Sequence, residues 1–545
     1  MSNRFVKGAM VLSVSLFLVR ALGLLYIMPF QYFVGFTGMA LYSYAYVPYT
    51  ILITLSGLGI PAGIAKFVAK YNADGEYDTS RQIFRLGMIV MVILGITSFL
   101  IMYFGAPFFA RIVMAGDDMY NTIENVVTVI RMLSFAVLVV PPMAIFRGFF
   151  QGNQDMRPTA DSQLIEQIIR ITVIIVGSFV VITLLGGTIQ TAVNVSVFAA
   201  FLASIGSLAI LYWHWRRKKP GFDAQLNKTT VHDPHSLKKL FKELLSYALP
   251  FAVLSLIASL FQLIDTMTFN PLMLRSGIDS ELVEPIAGMY ITGLFKIIMI
   301  PVSFAIAFGQ PLMPAITEKV QLKNYQGVRQ TIVSALMLTA FVTIPAVIGL
   351  WLLANPVFNL LFRADTEIAQ IGGQIFGFGA FIAFFLAFNA ILDAIMQGIG
   401  KQYVALRFLI IGVTIKLIGN LILIPHFRVN GAIIATIIAY TACIILKLLV
   451  LKKVTRINLR QVAKKHLAII VLTVLMALSV LLTRIILNLF LDYNASRLQA
   501  GIYVLIAGSI GILVYGGLAL YLDLAEKIFG HMAIFTRIKS KFKRK

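Results

Sequence analysis

Long apolar runs alternate with short polar intervals along the whole chain. Windows of about 20 apolar residues, the length that crosses a hydrocarbon core of about 30 Å as a helix, recur fourteen times. They centre near Val14, Ile51, Val92, Phe135, Ile174, Phe201, Ile257, Met299, Phe341, Phe381, Ile411, Ala439, Val474 and Ala507. The pattern predicts an all-α polytopic membrane protein with fourteen transmembrane helices. An even number puts both termini on one side.

The loops say which side. Of the 46 basic residues, 34 fall in one set of alternate intervals, 5 (Arg111, Arg275, Arg363, Arg428 and Arg497) in the other, and 7 inside spans. Basic loops stay cytoplasmic, so both termini are expected in the cytoplasm, and a miscounted span would have inverted every later loop. The longest polar interval opens with Arg216-Arg217-Lys218-Lys219, behind Trp213 and Trp215 as an interfacial belt. It divides the chain into 1–215 (spans one to six), a basic linker 216–243, 244–451 (spans seven to twelve), and 452–545, two further spans with a basic tail.

Internal repetition supports the division. Pro48 and Pro61 in span two match Pro301 and Pro314 in span eight, each second proline opening P-A-G-I-A-K or P-A-I-T-E-K. The ends of spans four and ten read F-F-Q-G-N and I-M-Q-G-I, and at the same offset Arg170 falls on Lys416. V-L-S recurs at Val11 and Val253, with Pro29 falling on Pro271. Copies six spans apart have parallel topology, which predicts two pseudo-symmetric six-helix lobes with a cleft between them.

Composition narrows the class. Of 545 residues 59% are hydrophobic and 13% charged, with a mean hydropathy of +0.89, which excludes a soluble domain. The net charge of +23 would suggest a nucleic-acid partner in a soluble protein, but here most of it orients the chain. The one cysteine, Cys443, offers no disulfide framework or cysteine-based metal site. The first apolar run carries Arg20 and lacks a small-residue cleavage pattern, so it reads as a span rather than a cleaved signal. There is no Walker A string and hence no ATP site.

Charge inside the membrane is costly, about 2.5–3.5 kcal/mol for a central Arg or Lys by insertion scales, so each case needs a reason. At 1.5 Å per residue, Arg20, Arg170, Lys296 and Lys416 lie roughly 15–18 Å into their spans, near the midplane. Too deep to snorkel and short of acidic partners, these four are expected to line a central cavity. Lys447, close to a span end, is expected to snorkel, and Arg131 and Arg484 lie nearer the outer face. Glu166 stands four residues before Arg170 and is expected to pair with it and orient it. Asp265, Asn389 and Asp393 are the candidate groups for Na+ or H+ coupling, although Asp265 falls near the outer end of its span and Asp393 near the inner end of its own. No other cofactor is implied. A cluster of fixed cations suits a multivalent anion. A headgroup of about two negative charges moving outward from a negative interior gains roughly 2.3 kcal/mol per charge per 100 mV, so the membrane potential is expected to drive the cycle.

The run R-G-F-F-Q-G-N-Q-D-M-R-P-T-A-D-S-Q-L-I-E-Q-I-I-R from Arg147 to Arg170, with G-I-P-A-G-I-A-K near Pro61 and Q-G-I-G-K near Lys401, resembles the polysaccharide-exporter branch of the multidrug/oligosaccharidyl-lipid/polysaccharide flippase superfamily. Within it the chain is similar to the MurJ-type and stage V sporulation protein B-like group. The resemblance implies two lobes in a V, a cationic cavity for an undecaprenyl-diphosphate-linked sugar such as peptidoglycan lipid II, and a lipid groove on the last two helices. Arg20, in V-R-A-L-G, matches an essential first-helix arginine of that family. Tyr26 and Ile27 stand where many Gram-negative members carry an arginine and an aspartate, so those contacts do not transfer.

The resemblance also implies a bacterial cell-membrane location, a monomer, a lipid-linked sugar and the bilayer as partners without nucleic acid, and association with cell-wall synthesis proteins. Other lipid-linked precursors (teichoic, capsular or spore-cortex) share the diphosphate. A multidrug or cation antiporter of the superfamily would show an acidic cavity, usually with twelve spans. A membrane glycosyltransferase would need a catalytic acid or base at the outer face. Asp279, Glu281 and Glu284 lie there, in what reads as a solvated loop. A non-transporting scaffold leaves the midplane cations unexplained.

Overall fold

The computed structural model describes residues 19, 22–23, 26–57, 60–114, 121–226, 237–362 and 366–522. Arg20 and the basic C-terminal tail lie outside them. Every regular element among the described residues is helical. Two compact units divide the chain, Met1–Thr292 and Gly293–Lys545.

The first unit holds α1 (Ile27–Gly57), α2 (Ile60–Ala73), α3 (Tyr77–Phe104), α4 (Ala106–Val113), α5 (Ile123–Gly152), α6 (Arg157–Phe179), α7 (Ile189–Leu226), α8 (Leu237–Arg275) and α9 (Ser280–Ala287). The second holds α10 (Phe295–Gln321), α11 (Tyr325–Leu352), α12 (Ala354–Leu361), α13 (Thr366–Gly398), α14 (Gln402–Phe427), α15 (Val429–Thr455), α16 (Leu459–Leu487) and α17 (Arg497–Tyr521). A π-helical segment, Gly288–Leu294, contains the boundary between the units.

Eleven stretches among the described residues are long and apolar enough to cross a membrane, and they coincide with expected spans three to six and eight to fourteen. Span one falls largely outside the described set, span two runs into residues 58–59 outside it, and span seven lies within the long helix α8. Helix starts follow local chemistry. Thr122, Asn324 and Ser496 each accept a hydrogen bond from the backbone N–H three residues on, satisfying a donor that lacks an intrahelical partner. Gly35, at φ 66°, breaks α1 into two helical pieces, a conformation that a side chain would strain. The linker reading is refined: α7 continues through Arg216 to Leu226, where Asp223 accepts from Arg81 at 2.8 Å and Lys218 pairs with Asp155.

Burial follows a membrane pattern. Leu482, Leu505, Ile512 and Leu513 are exposed, as lipid-facing side chains are, whereas Ser134, Ser178, Ser196, Ser204 and Ser207 are buried between helices. With little hydrophobic drive between helices in lipid, close packing of small residues and hydrogen bonds hold the bundle. Ser178 and Ser196 meet at 3.0 Å between α6 and α7. A side chain at Gly148 would sit 2.4 Å from the carbonyl oxygen of Pro61, so α5 rests directly on α2.

Candidate functional site

In the first unit, Arg170 and Glu166 stand one turn apart on α6, and the helical period makes them neighbours. Arg170 Nη2 donates to Glu166 Oε1 at 2.8 Å. A second arginine completes the group. Arg147 on α5 donates from Nη2 to Glu166 Oε2 at 2.8 Å and to Ser207 Oγ of α7 at 2.9 Å, and from Nε to Ser162 Oγ at 3.0 Å. Two guanidinium groups on one carboxylate leave a net positive charge. Arg170 Nε is buried with no hydrogen-bond partner among the described residues.

Facing this cluster, α1 presents Tyr42, Tyr46 and Tyr49, spaced i, i+4, i+7 so that they share a face. All three lie within electrostatic reach of Arg170. The Tyr42 and Tyr46 rings stack at 4.4 Å, and Tyr46 meets Tyr49 edge-on at 5.2 Å. An arginine fork beside phenol hydroxyls can hold phosphate oxygens, with the carboxylate fixing the fork's direction.

The other sequence candidates are dispersed. Lys416 is 0% exposed. It donates to the Ala432 carbonyl at 3.0 Å and to Thr436 Oγ1 at 2.6 Å, both on α15. Its helix buries that face against α15, so the ammonium is enclosed between the two helices instead of lining a cavity. Lys296, the second residue of α10, is partly buried. Lys447 does not snorkel: at 2% exposure it reaches Asn389 Oδ1 at 2.7 Å and Asp393 Oδ1 at 2.5 Å on α13. The amide and carboxylate singled out for Na+ or H+ therefore already hold an ammonium, and they do not fit a resident metal ion. Asp265, in the first unit, is buried and accepts from the Tyr290 hydroxyl at 3.0 Å. Among the described residues no group of three or more His, Cys, Asp or Glu is placed to hold a metal.

Glu284 departs from the expected solvated loop. It is 0% exposed, and its Oε2 accepts from Asn121 N at 3.1 Å and Nδ2 at 3.0 Å. The acid-rich interval is the start of helix α9, which turns this carboxylate inward.

Comparison with known proteins places these features. Residues 5–320 match the family model described as polysaccharide biosynthesis protein, and residues 288–496 match that of lipid II flippase MurJ. The chain is 37% identical over 533 residues to the lipid II flippase MurJ of Bacillus subtilis (strain 168), covering 97% of each chain. The chain belongs to the MurJ family. It is also 23% identical to the stage V sporulation protein B of the same organism, over 84% of this chain and 85% of that one. Among solved structures, a lipid II flippase MurJ in an inward closed conformation aligns with a TM-score of 0.66 at 17% identity, covering 94% of this chain and 99% of the other. An inward-facing multidrug resistance MATE transporter of the MOP superfamily aligns with a TM-score of 0.63 at 15% identity, covering 82% and 99%. Both likenesses establish the fold.

Sequence reasoning missed Arg147, which it counted among cytoplasmic loop charges. The sequence carries no signal for it, since Pro141-Pro142 interrupts the run; in the structure α5 continues for 30 residues to Gly152, so Arg147 is helical and its i+1 neighbour Gly148 rests on α2. The tyrosine face of α1 was legible from its spacing but carries no charge to draw attention to it.

Proposed function

We propose that this protein is a flippase that carries lipid II from the inner to the outer leaflet of the bacterial cell membrane by alternating access. The 37% identity across 97% of both chains to a protein named for that activity carries the reading. The protein is a transporter and not an enzyme. In this reading fourteen helices form two six-helix lobes with two further helices, both termini are cytoplasmic, and the protein acts as a monomer near the cell-wall synthesis machinery.

The substrate diphosphate is assigned to Arg20, Arg170 and Lys296. Glu166 and Arg147 hold the Arg170 fork in place, and the Tyr42, Tyr46 and Tyr49 hydroxyls extend the polar surface. Lys416 is left out of this set because the Ala432 carbonyl and the Thr436 hydroxyl hold its buried ammonium against α15. Outward movement of the anionic headgroup down the potential and return of the emptied cationic site in the same field supply the drive. Any proton or Na+ contribution falls to Asp265, since Lys447 occupies Asn389 and Asp393. Collapsing the potential while preserving ion gradients is expected to slow flipping, and an unchanged rate would refute the electrical drive.

The deciding experiment measures headgroup accessibility of lipid II at the outer face of cells depleted of this protein, in a strain without redundant flippases. Complementation by wild type but not by Arg20→Ala is expected. Continued lipid II export in the depleted cells would overturn the substrate assignment.

A further inference from the structure

The second unit contains a cavity of about 310 Å³ that has no part in the proposed cation site. It lies where α11 ends and α12 begins, and its walls include Trp351, Asn355, Gln374, Phe378, Asn430 and Arg484. Trp351 and Asn355 flank the short turn between α11 and α12, Asn430 opens α15, and Arg484 stands in the last turn of α16. By the loop charges this is the outward end of the unit, a placement that rests on the orientation proposed above.

Glycines shape one wall. A side chain at Gly373 would sit 1.7 Å from Asn355 Oδ1, and one at Gly377 would meet Ala354 Cβ at 3.3 Å and Trp351 Cδ1 at 3.5 Å. This glycine pair, four residues apart on one face of α13, lets α12 lie close and sets Asn355 and Trp351 at the rim. Tyr503 of α17 donates to Asn488 Oδ1 at 2.9 Å and fastens α17 to α16 one turn beyond Arg484.

Two residues of the cavity wall carry a polar atom without a partner: Arg484 Nε and Asn430 Oδ1 are both buried and lack a hydrogen-bond partner among the described residues. Buried polar atoms are nearly always paired, so two on residues of one cavity wall point to a ligand that supplies both an acceptor and a donor. The acceptor faces a guanidinium, which favours phosphate oxygen. The donor faces an amide oxygen, which suits a hydroxyl. Trp351 and Phe378, both exposed, offer aromatic faces at the rim, where the C–H face of a polyol or sugar can rest.

We infer that this cavity binds the headgroup of a polyol phosphate at the outer leaflet, with Arg484 on the phosphate and Asn430 on a hydroxyl. Two sources carry that chemistry: a glycerophosphate lipid of the surrounding leaflet, and the sugar phosphate of a lipid-linked product leaving the transporter.

Three tryptophans in the chain make the test direct. Replacing Trp213 and Trp215 by phenylalanine leaves Trp351 as the sole indole in the full-length protein, purified into zwitterionic nanodiscs. Its emission is titrated with glycerol 1-phosphate, N-acetylglucosamine 1-phosphate, N-acetylglucosamine and inorganic phosphate. A saturable change with either polyol phosphate, weakened at least tenfold by Arg484→Gln and by Asn430→Ala, is expected. Preference for the sugar phosphate assigns the cavity to the exported product, and preference for glycerol phosphate assigns it to the leaflet lipid. No saturable change, an equal response to inorganic phosphate, or an unaltered response in both variants would overturn the inference. Asn430→Ala carries the test where Arg484→Gln does not fold. The titration does not read flipping, so its failure leaves the flippase reading standing, and loss of that reading leaves the binding site while removing its outer-leaflet placement and the exported product as a source.

Discussion

Arg170 and Lys416 occupy the same place in the two sequence repeats and meet opposite fates. Each is a basic residue near the middle of a long apolar helix. Arg170 sits at the edge of a polar cluster, sharing Glu166 with Arg147 and keeping a buried Nε without a partner among the described residues. Lys416 is sealed by a carbonyl and a hydroxyl of α15. The difference is one of facing: a helix sets a side chain's depth by its position along the axis, but the neighbour it packs on decides whether the charge meets a cavity or a wall. One repeat keeps its charge in a polar cluster with a carboxylate, and the other has turned it into part of the helix packing.

The second unit also uses a cation to neutralise an anion. Lys447 bridges Asn389 and Asp393 at 2.7 and 2.5 Å. Removing one partner of a buried pair leaves an uncompensated charge, so Lys447→Met is expected to cost about 3–5 kcal/mol of stability. Thermal unfolding in nanodiscs should show that loss, with much of it recovered in the Lys447→Met, Asp393→Leu double variant. In the first unit Glu166 has two arginines, so Arg147→Met should cost less. Equal losses would mean that the second arginine adds nothing to the balance.

Arg170→Ala is expected to fall next in size, acting on transport more than on stability. Losing charge-assisted bonds to a phosphate should slow lipid II flipping by about ten- to hundredfold. Arg170→Lys keeps the charge without the fork, and an intermediate rate would show that geometry as well as charge matters. A wild-type rate in Arg170→Ala would remove the first unit's claim to the substrate.

The repeated Q-G dipeptides sharpen the comparison at the level of packing. A side chain at Gly152 would meet Val68 Cβ at 2.7 Å and the Ala65 carbonyl at 2.8 Å, while one at Gly398 would meet Ile316 Cβ at 2.9 Å and the Met313 carbonyl at 3.1 Å. In both units the helix end therefore rests on the segment around the repeat's second proline, Pro61 or Pro314. Overpacking such a contact costs about 1–3 kcal/mol, and Gly152→Ala is expected to lower the unfolding temperature more than Gly398→Ala. The reverse order would show that the two contacts are not equivalent.

What the chain made legible follows the same division between depth and facing. Apolar runs and alternating loop charge marked the helices, and the i, i+4 spacing marked Glu166 with Arg170, because both are local signals. Lys447 was read as snorkelling because its partners are on another helix, 58 residues away at Asn389. Glu284 was read as solvated because nothing beside it in sequence announces Asn121, whose backbone and side chain bury its carboxylate. Hydropathy places Lys416 at the midplane but is blind to the direction its helix presents, and α15 supplied that.

The smallest expected effect is therefore the most discriminating. Lys416→Met replaces an enclosed ammonium with an apolar chain of similar length, and exchanging buried charge for well-packed hydrophobic volume is often neutral or stabilising. Among the described contacts the cost includes the hydrogen bonds to Ala432 and Thr436, and Thr436 keeps its own bond to the Ala432 carbonyl at 2.8 Å, so neither acceptor is orphaned. Stability within about 1 kcal/mol of wild type and flipping within about twofold are expected. A loss of flipping as deep as that of Arg170→Ala, in a protein that still unfolds at the wild-type temperature, would mean that Lys416 leaves α15 during the cycle to reach the substrate. The asymmetry between the two repeats would then belong to one conformation of the transporter and not to its mechanism.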